Sequence, residues 1–375
     1  MKIAQVAPLF ESVPPQLYGG TERVVSYLTE ELVSLGHDVT LFASGDSRTN
    51  AKLRPMCDQA LRLSKVPRDH LVQHLLMVNR VFNEAHLFDI IHFHIDHLHF
   101  PLARLARTPH ITTLHGRQDL YDLQYIYDEF SELPIISISN SQRKPLPQPN
   151  WHATVYHGLP EQMLSFHAAP GNYFAFLGRI SPEKGIETAI QIALALGTEL
   201  RIAAKVDPVN EDYFNRHIKK FLDEPLINFI GEIGEREKNH FLGNASALLF
   251  PIEWPEPFGL VMIEAMACGT PVIAFPRGSV PEIIQHGVTG FIVDNASEAV
   301  AAAQKIQSID RSNCRRVFEE RFSSRRMAEE YLNVYRNLLA AQEKNDFTYE
   351  NGESNYGRRY SDRRQMVYSG NLTNS

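Results

Sequence analysis

Short apolar runs alternate with amphipathic stretches along most of the chain. Lys2-Ile-Ala-Gln-Val-Ala-Pro8 reads as a buried strand, and a loop carrying Pro14, Pro15, Gly19 and Gly20 follows it. Over residues 21–35 the apolar positions are Val24, Val25, Leu28, Leu32 and Leu35, the spacing of one helix face. Thr21 stands where an N-cap is expected and Gly36 where a C-cap is expected. A second strand covers residues 38–43. Strand, glycine loop, helix and strand in that order predict a right-handed βαβ unit and a parallel sheet.

The alternation continues with a helix over 69–86 and short buried strands at 88–93, 111–114, 135–138 and 152–156. Residues 160–171 carry Pro160, Pro170 and Gly171 and mark a boundary. A second series opens with a strand at 173–177, the loop Gly178-Arg-Ile-Ser-Pro-Glu-Lys-Gly185 and a helix to about residue 196. Further strands are expected at 200–204, 227–230, 247–250, 272–274 and 291–293. Residues 296–341 read as helical, with an amphipathic stretch over 325–341. Two such series predict an α/β protein of two Rossmann-like domains with parallel sheets facing across a cleft. The first domain is placed at 1–165 and the second at 166–325. A final helix, 326–341, is expected to pack back on the first domain. Residues 342–375 are rich in Asn, Gly, Ser, Tyr and Arg and read as a disordered tail.

Composition narrows the picture. Of 375 residues, 43% are hydrophobic and 22% charged, a globular balance large enough for two domains. The net charge of -7 argues against a dedicated nucleic-acid partner, while leaving room for a local basic pocket. Cys57, Cys268 and Cys314 are odd in number and widely spaced, with no CxxC, which fits a reducing compartment. Residues 1–10 do not read as a secretory leader, and no apolar run reaches membrane-spanning length. A cytoplasmic location is expected, with peripheral membrane contact left open.

The richest segment is Glu256-Pro-Phe-Gly-Leu-Val-Met-Ile-Glu264, followed by Ala-Met-Ala-Cys-Gly-Thr-Pro-Val. Pro255 and Pro257 hold Glu256 in a loop before a helix. Gly259 lets a ligand approach the first turn, where the N–H groups of Phe258, Gly259, Leu260 and Val261 are expected to form an anion site. Glu264 lies among Val261, Met262, Ile263, Ala265 and Met266, where a carboxylate needs a partner. The vicinal hydroxyls of a ribose would occupy both its oxygens. Taken singly, either acid reads as an ordinary surface residue. The joint pattern points to function.

Arg179 and Lys184 share one loop after a strand, two cations placed to suit a diphosphate. Gly19 and Gly20 sit in a loop of the kind that cradles phosphate, though without GxGxxG. His115 ends a strand, where α/β sheets place their ligands. Lys205 ends another, and donor contact and plain surface lysine weigh equally there. Glu282 reads as an acid favouring its own helix start. His92, His94, His97, His99 and Asp96 cluster in sequence, which raises a metal site as the sharp reading.

The glutamate segment resembles the paired-glutamate signature of glycosyltransferase family 4, retaining enzymes of the GT-B fold. The resemblance extends over roughly residues 1–340. Gly19-Gly20-Thr21-Glu22-Arg23 resembles the family's first glycine loop. Asp89-Ile-Ile-His92 and Thr113-Leu-His-Gly116 resemble its later strand ends, and Phe176-Leu-Gly-Arg-Ile-Ser-Pro-Glu-Lys-Gly185 its donor-phosphate motif. Gly278 to Glu282 and Gly287-Val-Thr-Gly290 resemble its last landmarks.

What the resemblance implies is transfer of a hexose from a nucleotide-diphosphate sugar to an acceptor hydroxyl. UDP-glucose is favoured as donor, with GDP-mannose next. The acceptor, whether glycan, lipid-linked or small molecule, is left open, as is the oligomeric state. Glu256, His115, Arg179 and Lys184 take the catalytic positions. Gly19, Gly20, Arg179, Lys184, Lys205, Phe258, Gly259, Leu260, Val261 and Glu264 take the donor. The resemblance implies no metal and no other cofactor, the family often ends the strand corresponding to 88–93 in a similar His-x-His, and no Asp-x-Asp clamp is present. The competing readings are a nucleotide-sugar epimerase or phosphorylase, and a non-catalytic nucleotide-sugar-binding protein. A dehydrogenase is weaker, for want of GxGxxG.

Overall fold

The computed structural model describes residues 1–350 except 17 and 147, and side chains as far as residue 342. Seven strands form the first sheet: β1 (Lys2–Val6), β2 (Asp38–Ala43), β3 (Lys52–Pro55), β4 (Ile90–Phe93), β5 (His110–Thr113), β6 (Ile135–Ser137) and β7 (Trp151–Thr154). Their order is β3-β2-β1-β4-β5-β6-β7, and every neighbouring pair is parallel. Six strands form the second: β8 (Tyr173–Arg179), β9 (Glu199–Lys205), β10 (Ile227–Gly231), β11 (Ala245–Phe250), β12 (Val272–Ala274) and β13 (Gly290–Ile292). Their order is β10-β9-β8-β11-β12-β13, again all parallel.

These strands are apolar because helices cover both faces of a parallel sheet. Ile90, Ile91 and Phe93 of β4 are fully buried, as are Ala247 and Leu248 of β11. Val6, Phe42, Ile91 and Phe93 pack with Met77, Val78 and Val81 of the helix His70–Asn83 in one core cluster. The two sheets thus match the alternation in the sequence.

Three local features differ from the sequence reading. The first helix runs Gly20–Ser34 with Gly19 at its N-cap, so Thr21 lies inside it. β3, with the sequence Lys-Leu-Arg-Pro, was not anticipated: it is an edge strand, and its polar residues and proline give no apolar signal. The helical region after residue 296 is three helices, Ala296–Ala303, Arg311–Arg321 and Ser324–Glu350. The side chains of Asn295 and Asp310 cap the first two, accepting from Glu298 N and Ser312 N. The last helix passes residue 342, where the sequence reading begins its tail. Gln342, Glu343 and Lys344 are good helix formers, and nothing in them stops the helix. Residues 351–375 lie outside the described residues.

Residues Met1–Tyr331 form one compact unit. The chain crosses from the first sheet to the second near Leu159 and returns near Ser323, and the two crossings lie side by side. Leu159 N donates to Phe322 O at 2.9 Å, and Ser324 N donates to Leu159 O at 2.8 Å.

Candidate active site

In each sheet the strand order reverses at one point, between β1 and β4 in the first and between β8 and β11 in the second. Crevices at the carboxyl ends of such strands are where open α/β sheets bind ligands. The loop after β1 carries Gly19 and Gly20. The turn after β8 carries Lys184, with Arg179 as the last residue of the strand. The segment after β11 carries Glu256. Topology therefore brings distant parts of the sequence to one place.

Nζ of Lys184 lies 2.5 Å from Oε2 of Glu256. The indole Nε1 of Trp254 donates to the same oxygen at 2.9 Å. The Lys184 ammonium also stands 4.9 Å from the Trp254 ring centre, and the Arg117 guanidinium 5.6 Å from it on the loop after β5. The side chains of Lys184 and Glu256 are 17% and 12% exposed, so this pair is only partly hydrated. Two close backbone approaches hold the Glu256 loop in place. A Cβ at Gly185 would overlap the Pro251 carbonyl oxygen, and a Cβ at Gly278 would overlap the Glu256 backbone. Both glycines have positive φ, +70° and +58°. Glu253 N donates to Glu183 O at 3.0 Å, tying the Glu256 loop to the Lys184 loop directly.

Arg179 makes an ion pair with Glu183 at 3.2 Å and approaches Asp207 at 3.7 Å. Lys205 binds the same Asp207 at 3.0 Å, and its ammonium stands 5.5 Å from the Tyr18 ring of the first glycine loop. Asp207 therefore gathers the cations at the ends of β8 and β9.

The helix after Glu256 runs Leu260–Ala267, with Gly259 as its N-cap. Phe258 lies before the cap. Its buried ring packs 4.8 Å from the His157 ring and 6.2 Å from the Tyr156 ring. A Cβ placed on Gly20 would stand 3.8 Å from Cδ1 of Leu260, so the first glycine loop faces this helix start across the cleft.

Glu264 is 3% exposed, and its partner is Nζ of Lys238 at 2.6 Å, on the helix Glu235–Gly243. The same helix carries Glu235, which pairs with Arg23 at 2.9 Å and accepts from the Tyr27 hydroxyl; both partners come from the helix Gly20–Ser34 of the other lobe. Burial opposes the charge on Arg23, but Tyr27, Glu235 and Glu264 around it hold its pKa above the ordinary value. Burial, then Glu235, pushes the Tyr27 hydroxyl up.

Glu282 behaves differently from the sequence reading. It belongs to the short helix Val280–Ile283, yet its carboxylate caps the helix Asn140–Arg143 of the other lobe. Ser141 N donates to Oε1 at 2.7 Å, Asn140 N to Oε2 at 2.8 Å and the Tyr156 hydroxyl to Oε2 at 2.9 Å. Burial and this bond push the Tyr156 hydroxyl up to about 12.

His92, His94, His99 and His115 are bonded to polar neighbours. His92 Nε2 lies 2.7 Å from the Thr113 hydroxyl, and His99 Nε2 lies 2.8 Å from the Thr112 hydroxyl. His94 lies between Gln5 and His115, at 2.7 Å and 2.9 Å. Among the described residues no group of three or more His, Cys, Asp or Glu side chains is arranged to hold a metal ion. Burial lowers His115 to about 3, and burial with neighbouring histidines lowers His92, His94 and His157 well below the usual range.

The result is a group of cations held in ion pairs with carboxylates, a helix start facing a glycine loop, and buried neutral imidazoles beside Phe258. It can hold an anion and orient hydroxyl groups. Gln5, Arg23, Tyr27, Trp254, Asp207, Glu235 and Lys238 take part in this geometry and were not singled out from sequence. Of these, Arg23 lies inside a quoted motif and Trp254 adjoins one, and both could have been found there. The others have no local signal, because their partners lie far away in the chain.

Comparison with known proteins agrees with this fold. The family model for glycosyl transferases group 1 matches residues 165–324, and that for Glycosyltransferase Family 4 matches residues 18–146. Alpha-maltose-1-phosphate synthase of Mycolicibacterium smegmatis is 25% identical over 398 residues, covering 90% of this chain and 100% of its own. Sucrose-phosphate synthase from Thermosynechococcus elongatus has a similar structure, with a TM-score of 0.76 at 21% identity, over 91% of this chain and 100% of that one. Anabaena HepE in complex with UDP-glucose gives a TM-score of 0.71 at 17% identity, over 90% and 100%. The chain belongs to the glycosyltransferases of the family 4 type and carries their GT-B fold.

Proposed function

We propose that the protein is a retaining hexosyltransferase that moves a hexose from UDP-glucose, with GDP-mannose next in rank, to an acceptor hydroxyl without a metal. The observation that carries this reading is the meeting of Lys184 and Glu256 at 2.5 Å beside the glycine-faced helix start at Leu260. The solved Anabaena relative bound to UDP-glucose supports the choice of donor.

In this reading the diphosphate lies between Arg179, Lys184 and the N–H groups at Leu260 and Val261. The bond from the anomeric carbon to the phosphate oxygen breaks, and its electron pair goes to that oxygen. The cations and the helix start stabilise the growing charge more than they stabilise the ground state. The acceptor oxygen attacks from the same face, and its proton passes to the leaving phosphate. Glu256 has Oε2 engaged by Lys184 and Trp254, so Oε1 is the oxygen for a sugar hydroxyl. Glu264 has Oε1 engaged by Lys238, so Oε2 is the oxygen for the ribose. His115 lines the sugar subsite, and Lys205 extends the cationic wall. The free thiols Cys57, Cys268 and Cys314 fit a reducing, cytoplasmic setting. Among the described residues no helix is long and apolar enough to cross a membrane.

The test is a panel of nucleotide sugars with and without hydroxyl acceptors, in the presence of a chelator, with products read by NMR. Transfer from UDP-glucose with an α-linked product and no loss on chelation is expected. Epimerised donor, or binding with neither transfer nor hydrolysis, would replace this reading with one of its competitors.

A further inference from the structure

His115 is joined to the interior of the first sheet by a chain of buried polar groups. Gln5 on β1 is fully buried and faces His92 of β4 in the strand register. Its Oε1 lies 2.7 Å from Nε2 of His94, and Nδ1 of His94 lies 2.9 Å from Nε2 of His115. Backbone pairing fixes this alignment, since His94 N donates to Val6 O at 2.9 Å at the carboxyl ends of β1 and β4. Among the described residues, nothing hydrogen-bonds to the buried Nδ1 of His115. The His157 ring stacks on His115 at 5.3 Å and is itself backed by Phe258.

Burial keeps His94 and His115 neutral at pH 7, so each ring carries one proton. The contact between them holds one of those protons. An amide oxygen only accepts. The His94 proton is therefore on Nε2, facing Gln5, and its Nδ1 is a lone pair. The proton in the His94–His115 contact then belongs to Nε2 of His115, which leaves Nδ1 of His115 as a bare acceptor.

We infer that Gln5 is a positioning residue: through His94 it fixes the Nε2-protonated form of His115, so that Nδ1 accepts a hydroxyl of the transferred sugar. This rests on the placement of His115 in the sugar subsite proposed above. A buried acceptor without a donor is costly, and a sugar hydroxyl removes that cost on binding. A reversed Gln5 amide would turn the whole chain around and offer the same hydroxyl an N–H.

Two measurements test it. The first is long-range proton–nitrogen NMR of the ¹⁵N-histidine-labelled protein at neutral pH, with the His115 signals identified by their loss in His115→Asn. The wild type should show His115 protonated at Nε2, and Gln5→Met should show a mixture or the Nδ1 form. A wild-type proton on Nδ1, or no change of form in Gln5→Met, overturns the inference; should Gln5→Met not fold, the wild-type spectrum still decides. The second is calorimetric titration with UDP-glucose and with UDP. Gln5→Met should weaken UDP-glucose about three- to tenfold and leave UDP unchanged, the effect of one hydrogen bond. Equal weakening of both means a general structural role and overturns it. If the wild type binds neither probe, the functional reading fails, while the NMR result still decides the relay.

Discussion

Nζ of Lys184 stands 2.5 Å from Oε2 of Glu256, joining the turn after β8 to the segment after β11 across 72 residues of chain. In the proposed reaction, Lys184 is the cation beside the leaving diphosphate and Glu256 the carboxylate beside the sugar. Lys184→Ala should lower the turnover number for glycosyl transfer by about 10²–10³, the usual loss for one preorganised group that stabilises transition-state charge. Steady-state kinetics at saturating donor measures this, and near-normal turnover would take Lys184 out of the reaction.

Glu282 links the lobes by accepting two backbone N–H groups and the Tyr156 hydroxyl. Glu282→Ala should cost about 1–2 kcal/mol in urea unfolding, since bonds to a charged group are lost at a partly hydrated seam. Glu282→Gln should recover part of that, because an amide oxygen still accepts one of the bonds. Equal stability of Glu282→Ala and wild type would show that the clasp contributes nothing.

The buried histidines give stability a pH dependence whose sign can be derived. His92, His94, His99 and His157 are held well below their ordinary pKa by burial, and His115 at about 3. Between the folded values and the unfolded value, near 6.5 for a free histidine, the unfolded chain binds more protons. Stability is therefore full above that point and falls as the pH drops through 6 and 5. Each excess proton contributes about 1.4 kcal/mol per pH unit. Urea unfolding between pH 7.5 and 5 should show a slope of several protons, and His115→Asn should remove about one. A flat profile would contradict the burial of neutral imidazoles.

The architecture was legible because parallel strands buried on both faces appear as apolar runs, as at Ile90, Ile91 and Phe93 of β4 and at Ala247 and Leu248 of β11. β3 was not, because an edge strand of Lys, Leu, Arg and Pro has no such signature. Arg179, Lys184, Glu256 and Glu264 could be picked out because each lies in a local pattern of glycine, proline and charge. Lys238 and Glu235 could not, since they look like any exposed helix residues until Glu264 and Arg23 are brought beside them. Glu282 was assigned to its own helix because sequence shows neighbours along the chain, not the facing helix Asn140–Arg143.

Gly278 permits the backbone of the Glu256 loop to pass where any side chain would collide with it. Gly278→Ala should therefore displace Glu256 and strain a positive-φ residue, lowering stability by about 1–3 kcal/mol and turnover with it. Thermal unfolding and initial rates measured on the same preparation would check both. A variant with unchanged melting temperature and rate would show that the loop adapts freely.

The most direct test of the account is calorimetric binding of UDP to the wild type and to the Arg179→Ala/Lys184→Ala double variant. The double variant removes the two charge-assisted contacts proposed to the diphosphate, so affinity should fall about 10²-fold or more while the fold, read by circular dichroism, is kept. Undiminished UDP affinity in a folded double variant would contradict the claim that these two cations hold the donor.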